Sequence, residues 1–267
     1  MIGLVLLAGG TSKRFIDSII NFLNEPRQKE IKSAEIEIIK NINSQIQEQM
    51  KINKVFLKIH KYMVWEYSVK IFSNFKDIIS NVVFVLNPST FENHKKIIEE
   101  KMEEYGFKNV EFVEGGSKRQ DSVFNGIKIL EDKYIDYIII HDLARPYIKN
   151  NDVKVLLDSI EDYDGLTLYS VPNDSVAANY ENKVTYIPRE KIYLVKTPQI
   201  FKKKAIINSH EELRRENLDL EFTDDISLLD FYMFKIGFIK GNPLNIKITT
   251  IEDYIVLHKI IEKEKTE

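Results

Sequence analysis

Four short segments carry residue types whose spacing could do chemistry. In Leu7-Ala8-Gly9-Gly10-Thr11-Ser12-Lys13-Arg14, the glycines let the backbone turn tightly and bring N–H groups against an anion. Thr11 and Ser12 add hydroxyl donors there, and Lys13 and Arg14 add positive charge. That set suits a phosphate, although an ordinary strand-to-helix turn with surface basic residues would look the same. The glycine and Lys-Ser/Thr spacings are those of neither a Walker loop nor a dinucleotide fingerprint. Glu114-Gly115-Gly116-Ser117-Lys118-Arg119-Gln120-Asp121-Ser122 repeats the logic, with a helix expected to open at about Ser122, and suits a nucleobase edge, a ribose or a phosphate.

The third segment, His141-Asp142-Leu143-Ala144-Arg145-Pro146, hangs off the apolar run Ile138-Ile139-Ile140. Asp142 there can hold a ribose hydroxyl, a Mg²⁺-bound water or a substrate hydroxyl, and Arg145 can grip a phosphate with both arms of its guanidinium. An internal Asp142–Arg145 ion pair is the alternative, and His141 reads as a packed or hydrogen-bonded neighbour rather than a general base. The last segment pairs Phe222-Thr223-Asp224-Asp225 with Asn245-Ile246-Lys247-Ile248-Thr249. Thr223 and Asp224 have the chemistry of a helix N-cap. Lys247, in a strand-like run, leaves the face opposite Ile246 and Ile248 and reaches either an anion or solvent.

The elements that must position these segments follow from apolar patterning. Ile2 to Leu7, Val82 to Leu86, Val110 to Val113 and Tyr137 to Ile140 are apolar on successive residues, as strands covered on both faces are. Helical periods fall near 62–75, 91–105, 121–132, 150–160, 202–216, 224–234 and 250–263. The alternation predicts an α/β fold, a mostly parallel sheet flanked by helices, with its functional loops at the carboxyl ends of the strands. Residues 167–196 break the pattern with strand-like pieces, among them Thr167 to Val171 and Lys183 to Ile187, and read as a protruding β-arm. Residues 16–50 are polar and Ile-rich, with Ile39, Ile42, Ile46 and Met50 on one helical face. The charged tail Glu262-Lys263-Glu264-Lys265 is expected to fray.

Composition bounds the partners. The chain has 267 residues, 43% of them hydrophobic, enough for the core of one domain. Its net charge of −3 gives no global basic field for nucleic acid or a membrane surface, so a small-molecule partner fits better. The absence of cysteine removes disulfides, thiolate metal sites and Cys nucleophiles together, and suits the cytoplasm. No apolar run approaches the roughly 18 residues that a membrane helix needs. A dinucleotide-dependent oxidoreductase would require a glycine fingerprint with an acidic residue about 20 positions on, and neither is present.

Taken in order, these segments together with Thr197-Pro198-Gln199 resemble the 2-C-methyl-D-erythritol 4-phosphate cytidylyltransferase family, along residues 1 to about 260 except 16–50. The resemblance implies a Rossmann-like nucleotidyltransferase fold in a single domain spanning 1–267, with an inserted helical segment at 16–50 and a dimerisation arm at about 167–196. It implies transfer of CMP from CTP to 2-C-methyl-D-erythritol 4-phosphate, with Mg²⁺, in a homodimer. Ala8, Gly9, Gly10, Thr11 and Arg14 would wrap the triphosphate, and Gly116, Ser117, Arg119, Ser122 and Leu143 would meet the cytidine. Asp142 and Arg145 would face the acceptor and, through Asp142, the metal. Ser175 and Thr223 would complete the acceptor pocket, Arg189 would reach it from the partner subunit, and Lys247 would contact phosphates at the reaction centre.

The family's catalytic lysine, in a segment soon after the first glycine loop, matches Lys54 in Asn53-Lys54-Val55-Phe56, far beyond Arg14. Pro26-Arg27-Gln28 is a rival for that segment. Ser12 stands where the family has glycine, which predicts a wider or reshaped loop. Ser117 replaces an aspartate, and Leu143 replaces a small residue and is expected to push the ribose outward. The same opening loop and Ile187-Pro188-Arg189 also resemble ribitol 5-phosphate cytidylyltransferases, so that acceptor remains the alternative. A non-catalytic nucleotide-binding module is a second. For residues 16–50 the readings are a surface elaboration and a lid that orders Lys54 when CTP arrives.

Overall fold

The four apolar runs lie side by side in a seven-stranded sheet. The computed structural model describes residues 1–24, 37–42, 53–181 and 183–264. The strands in that sheet are β1 (Ile2–Ala8), β4 (Ile79–Leu86), β5 (Val110–Glu114), β6 (Tyr137–Asp142), β7 (Gly165–Ser170), β10 (Leu194–Lys202) and β11 (Ile236–Lys240). Their order is β11-β7-β10-β6-β1-β4-β5. Neighbours are parallel except β10, which runs antiparallel to both β6 and β7. Two small hairpins stand outside it, β2 (Lys58–Ile59) with β3 (Tyr62–Met63), and β8 (Val176–Tyr180) with β9 (Lys183–Ile187).

Register places the chemistry. Ala8 pairs with Leu86, Leu86 with Glu114, and Leu7 with Asp142. The carboxyl ends of four strands therefore share one edge, where the loops after them must lie. Helices cover both faces: α1 (Lys13–Asn24), α2 (Val64–Phe72), α3 (Phe91–Tyr105), α4 (Arg119–Ile129), α5 (Asn150–Ser159), α6 (Lys203–Arg215), α7 (Asp225–Phe231) and α8 (Ile251–Glu264). Leu4 and Leu6 of β1 enter one core and Val5 the other, which is why β1 is apolar without alternation. On α4, Gly126 marks a close approach, because a Cβ there would stand 2.7 Å from Val5 Cγ1 and 2.9 Å from Val85 Cγ2.

Several expectations shift. Thr167 to Ser170 belong to β7, in the central sheet, because Leu166, Thr167 and Leu168 are buried; only the β8–β9 hairpin leaves the sheet. Residues 241–249 are irregular rather than a strand, yet Ile248 is buried while Lys247 points away. Helix α4 opens at Arg119, ahead of Ser122, and Tyr62 and Met63 pair in a hairpin before α2 begins. Glu262 to Glu264 stay helical and Glu264 pairs with Lys149 at 2.6 Å, so that part of the tail is held rather than frayed.

At the start of the polar stretch, Phe15 and Ile19 are buried on α1, with Phe22 packed against the same core. Residues 37–42 are helical and bury Ile39 and Ile42. Ile46, Met50 and Pro26-Arg27-Gln28 lie outside the described residues, as do the segments on which a lid would rest.

Candidate active site

Side-chain amides hold the backbone of the strand-end loops together. Asn53 Nδ2 donates to the Ala8 carbonyl at 2.5 Å, Asn87 Nδ2 to the Gly9 carbonyl at 3.1 Å, and the Gly115 N–H to the Leu86 carbonyl at 2.7 Å. In the second glycine loop the Gly116 N–H donates to Ser122 Oγ at 3.0 Å, and the Lys118 N–H to Asp121 at the N-terminus of α4. A Cβ at Gly116 would sit 2.3 Å from Asp121 Cβ, so this turn admits no side chain.

The first loop differs from a glycine turn at Ser12, whose φ of 57° lies in the left-handed region that L-residues avoid. Ser12 is buried, and its hydroxyl accepts the Lys54 N–H at 3.0 Å. Asn53, by its bond to Ala8, fixes the preceding residue. The segment from Asn53 is thus clasped to the glycine loop at two successive positions, which aims Lys54 into the same space as Arg14.

These loops enclose a cleft of about 750 Å³, lined by residues 7–14, 53–55, 87–89 and 116–119 with Ser122, Asp142, Ala144 and Lys247. The cations on its wall are Lys13, Arg14, Lys54, Lys118, Arg119 and Lys247, and the one carboxylate among the lining residues is Asp142. Burial first, then the charges of Lys247 and Arg14, lower the Lys54 pKa to about 8. A site that resists its own positive charge is one that an anion relieves.

Asp142 organises the cations. Its Oδ1 meets Arg119 Nε at 3.3 Å and its Oδ2 meets Lys247 Nζ at 2.7 Å. Burial opposes its charge, but Arg119, Lys247 and Arg145 outweigh that and hold its carboxyl well below the usual range. Arg119 also spans to Asp225 at 2.8 Å, and these two carboxylates overcome the desolvation of its guanidinium and keep it firmly charged. Arg119 Nη2 is buried with no hydrogen-bond partner among the described residues, a donor left for a ligand.

Of the residues expected at the nucleotide, Ala8, Gly9, Gly10, Thr11, Arg14, Lys54, Gly116, Ser117, Arg119, Ser122 and Lys247 all line the cleft, and so does Asp142. Leu143 does not. Its side chain is fully buried in the core, and its neighbour Ala144 lines the wall instead. The Asp142–Arg145 pair is likewise replaced. Arg145 runs beneath the site, where its Nη1 donates to the Asn245 carbonyl at 3.2 Å, an oxygen that Lys196 Nζ also reaches at 3.0 Å.

With Asn245 Nδ2 on the Thr197 carbonyl at 2.8 Å, these bonds moor the irregular segment that delivers Lys247. His141 is buried between Ser68 and Thr197 and its pKa falls to about 3 through burial, in keeping with a packing role. Ser175, Arg189 and Thr223 stand off the cleft wall: Arg189 donates to the carbonyl of Asn173, in the bend that leads into the β8–β9 hairpin, and Thr223 precedes Asp224, the N-cap of α7.

Sequence reasoning missed Asn53, Asn87, Lys196 and Asp225. Asn87-Pro88-Ser89, a turn signal directly after a buried strand, was the readable one; Lys196 carried no signal beyond being charged in an apolar run.

Both the sequence and the fold have counterparts among known proteins. The family model for 2-C-methyl-D-erythritol 4-phosphate cytidylyltransferase matches residues 43–263. Enzymes described by that name are 30% identical over 80% of this chain and 91% of their own length in Bacillus cereus, and 32% identical over 79% and 90% in Clostridium botulinum. The 4-diphosphocytidyl-2C-methyl-D-erythritol synthase of Anaerococcus prevotii superposes with a TM-score of 0.72, covering 98% of both chains at 21% identity, which speaks to the fold.

Proposed function

The chain belongs to the 2-C-methyl-D-erythritol 4-phosphate cytidylyltransferase family, and we propose that its cleft catalyses transfer of CMP from CTP to 2-C-methyl-D-erythritol 4-phosphate, releasing pyrophosphate. The observation that carries this reading is that Arg14, Lys54 and Lys247, far apart in sequence, line one cleft. Such a cluster can hold a triphosphate against a second anion.

A phosphate oxygen of the acceptor is the nucleophile. It is already anionic and needs no general base, in keeping with a cleft that has no histidine among its described lining residues. It forms a bond to the α-phosphorus of CTP as the bond from that phosphorus to the β-phosphate oxygen breaks, and the electron pair leaves with pyrophosphate. The barrier is the approach of two anions and the crowding of charge at phosphorus. Fixed cations, which need no reorganisation as the charge shifts, lower such a barrier by several kcal/mol. In this reading Arg14 and the N–H groups of residues 9–11 take the triphosphate, Lys54 and Lys247 face the reacting phosphates, and Arg119 with Gly116, Ser117 and Ser122 holds the cytidine.

Mg²⁺ fits as a phosphate-borne ion. One carboxylate, Asp142, lines the cleft, and Mg²⁺ in such sites keeps several waters and binds through one or two carboxylates plus the substrate phosphates. Both Asp142 oxygens are engaged by cations, so Lys247 would swing from Asp142 to phosphate as the metal–nucleotide enters. The ion supplies charge neutralisation across the CTP phosphates.

The assembly in this proposal is a homodimer built on the β8–β9 hairpin, whose Tyr180, Val184 and Tyr186 are exposed and apolar. There Arg189 would reach the partner's acceptor site, with Ser175 and Thr223 completing the pocket. The cysteine-free composition accords with the reducing cytoplasm.

Pyrophosphate release measured with CTP and Mg²⁺ tests the reading. Turnover with 2-C-methyl-D-erythritol 4-phosphate at least tenfold above that with D-ribitol 5-phosphate is expected. The reverse preference would change the acceptor, and no release with either would leave a nucleotide-binding module.

A further inference from the structure

Away from the cleft, the turn of the β2–β3 hairpin meets α8 at a cluster that the transfer reaction does not use. His60, in the turn, with His258 and Glu262, on α8, brings one ligand atom from each residue within 4.8 Å of the others. His258 and Glu262 are one helical turn apart, so one face of α8 presents both. We propose that His60, His258 and Glu262 form a binding site for a borderline transition-metal cation of the Zn²⁺ class, fastening α8 to the hairpin.

The donor set decides the class of ion. Two imidazoles and a carboxylate, with a fourth position open to water, suit Zn²⁺ and its neighbours, whereas Mg²⁺ and Ca²⁺ prefer oxygen alone. The outer contacts support it. His60 Nε2 lies 3.3 Å from the His258 carbonyl oxygen. A carbonyl only accepts, so in that contact Nε2 donates and the ring's lone pair sits on Nδ1; a ring N–H held by a carbonyl is the arrangement that orients metal-binding imidazoles.

The backbone around the cluster is also fixed. Tyr254, one turn before His258, donates its hydroxyl to the Lys58 carbonyl at 2.5 Å, and Tyr67 donates to the Ile59 carbonyl at 2.5 Å. Between these anchors His60 adopts a φ of 54°, a left-handed conformation that costs a non-glycine residue energy and that holds its ring 4.0 Å from that of His258. The hairpin follows the Lys54–Phe56 turn directly, so a bound ion would tie the segment bearing Lys54 to the last helix of the fold.

The test is titration of the chelator-treated full chain, without nucleotide, with Co²⁺ and then Zn²⁺. One equivalent of Co²⁺ should give visible d–d absorption that Zn²⁺ displaces, and saturating Zn²⁺ should raise Tm by roughly 5 °C. His60→Asn, a residue tolerated at positive φ, and Glu262→Gln, on the exposed helix face, should each weaken binding by about 100-fold. The absorption should persist in Asp142→Asn. No stoichiometric absorption in the unaltered chain, undiminished binding in both site variants, or loss of the absorption in Asp142→Asn would each overturn the proposal.

Discussion

The hydroxyl of Ser12 accepts the backbone N–H of Lys54 at 3.0 Å across 42 residues of chain. A glycine at position 12 would adopt the left-handed turn without cost but could not make this bond. The serine therefore couples the glycine loop to the Asn53–Lys54 segment, and the position of Lys54 rests on it.

Two substitutions separate the bond from the turn. Ser12→Ala keeps the strained φ and loses the bond, so it should destabilise the protein by about 1 kcal/mol or more. Ser12→Gly loses the bond but relieves the strain, and its stability should stay near that of the parent. Both should lower kcat/KM for CTP by roughly tenfold, because Lys54 is no longer pinned. Urea unfolding and steady-state rates read the two effects, and full activity in both variants would show that the hydroxyl does not position Lys54.

Lys54→Ala and Lys247→Ala should each reduce turnover by about 100-fold or more, with far-UV circular dichroism unchanged. Asp142 keeps Arg119 as a partner when Lys247 is lost, so the fold is not left with a bare buried carboxylate. Near-normal pyrophosphate release by Lys54→Ala would mean that another cation serves the reacting phosphates.

The pH dependence follows from the lowered Lys54 pKa of about 8, which burial causes first and Lys247 and Arg14 reinforce. The ammonium is the useful form, so kcat/KM for CTP should fall as pH rises through about 8, whereas bound CTP restores the proton and keeps kcat level to higher pH. Because the folded pKa lies below the ordinary lysine value of 10.5, the unfolded chain binds more protons between about 8 and 10.5, and this group's contribution to stability increases with pH there. Lys54→Arg, charged throughout, should flatten the kcat/KM limb; an unmoved limb would assign the titration to a different group.

Arg119 and Arg14 should divide stability from activity. Arg119 pairs with two buried carboxylates, Asp142 and Asp225, and among the described residues Arg119→Met leaves the Asp225 carboxylate with His210 as its partner. A loss of about 3–5 kcal/mol is expected together with loss of CTP binding. Arg14→Met, at an exposed position, should change stability by about 0.5 kcal/mol or less while impairing CTP use. Equal stabilities in urea unfolding would contradict the structural role given to Arg119.

Local patterning determined much of this protein. Four apolar runs fixed the central strands because a strand covered on both faces must be apolar at every residue, and the glycine pairs after two of them marked the strand-end loops. The same reasoning brought Arg14, Arg119 and Lys247 into view as cations, since charge and its nearest turn are written in the chain, whereas Lys54 came from the family resemblance.

What these side chains do with one another was decided only in three dimensions. Whether Asp142 would pair with Arg145 or with Arg119 and Lys247 depends on which loops share a sheet edge, which the strand order sets. Leu143 and Ala144 are neighbours in sequence, yet one enters the core and the other lines the cleft. That choice, like the burial of Lys196 beneath Asn245, belongs to packing and desolvation, energies that exist only once distant segments meet.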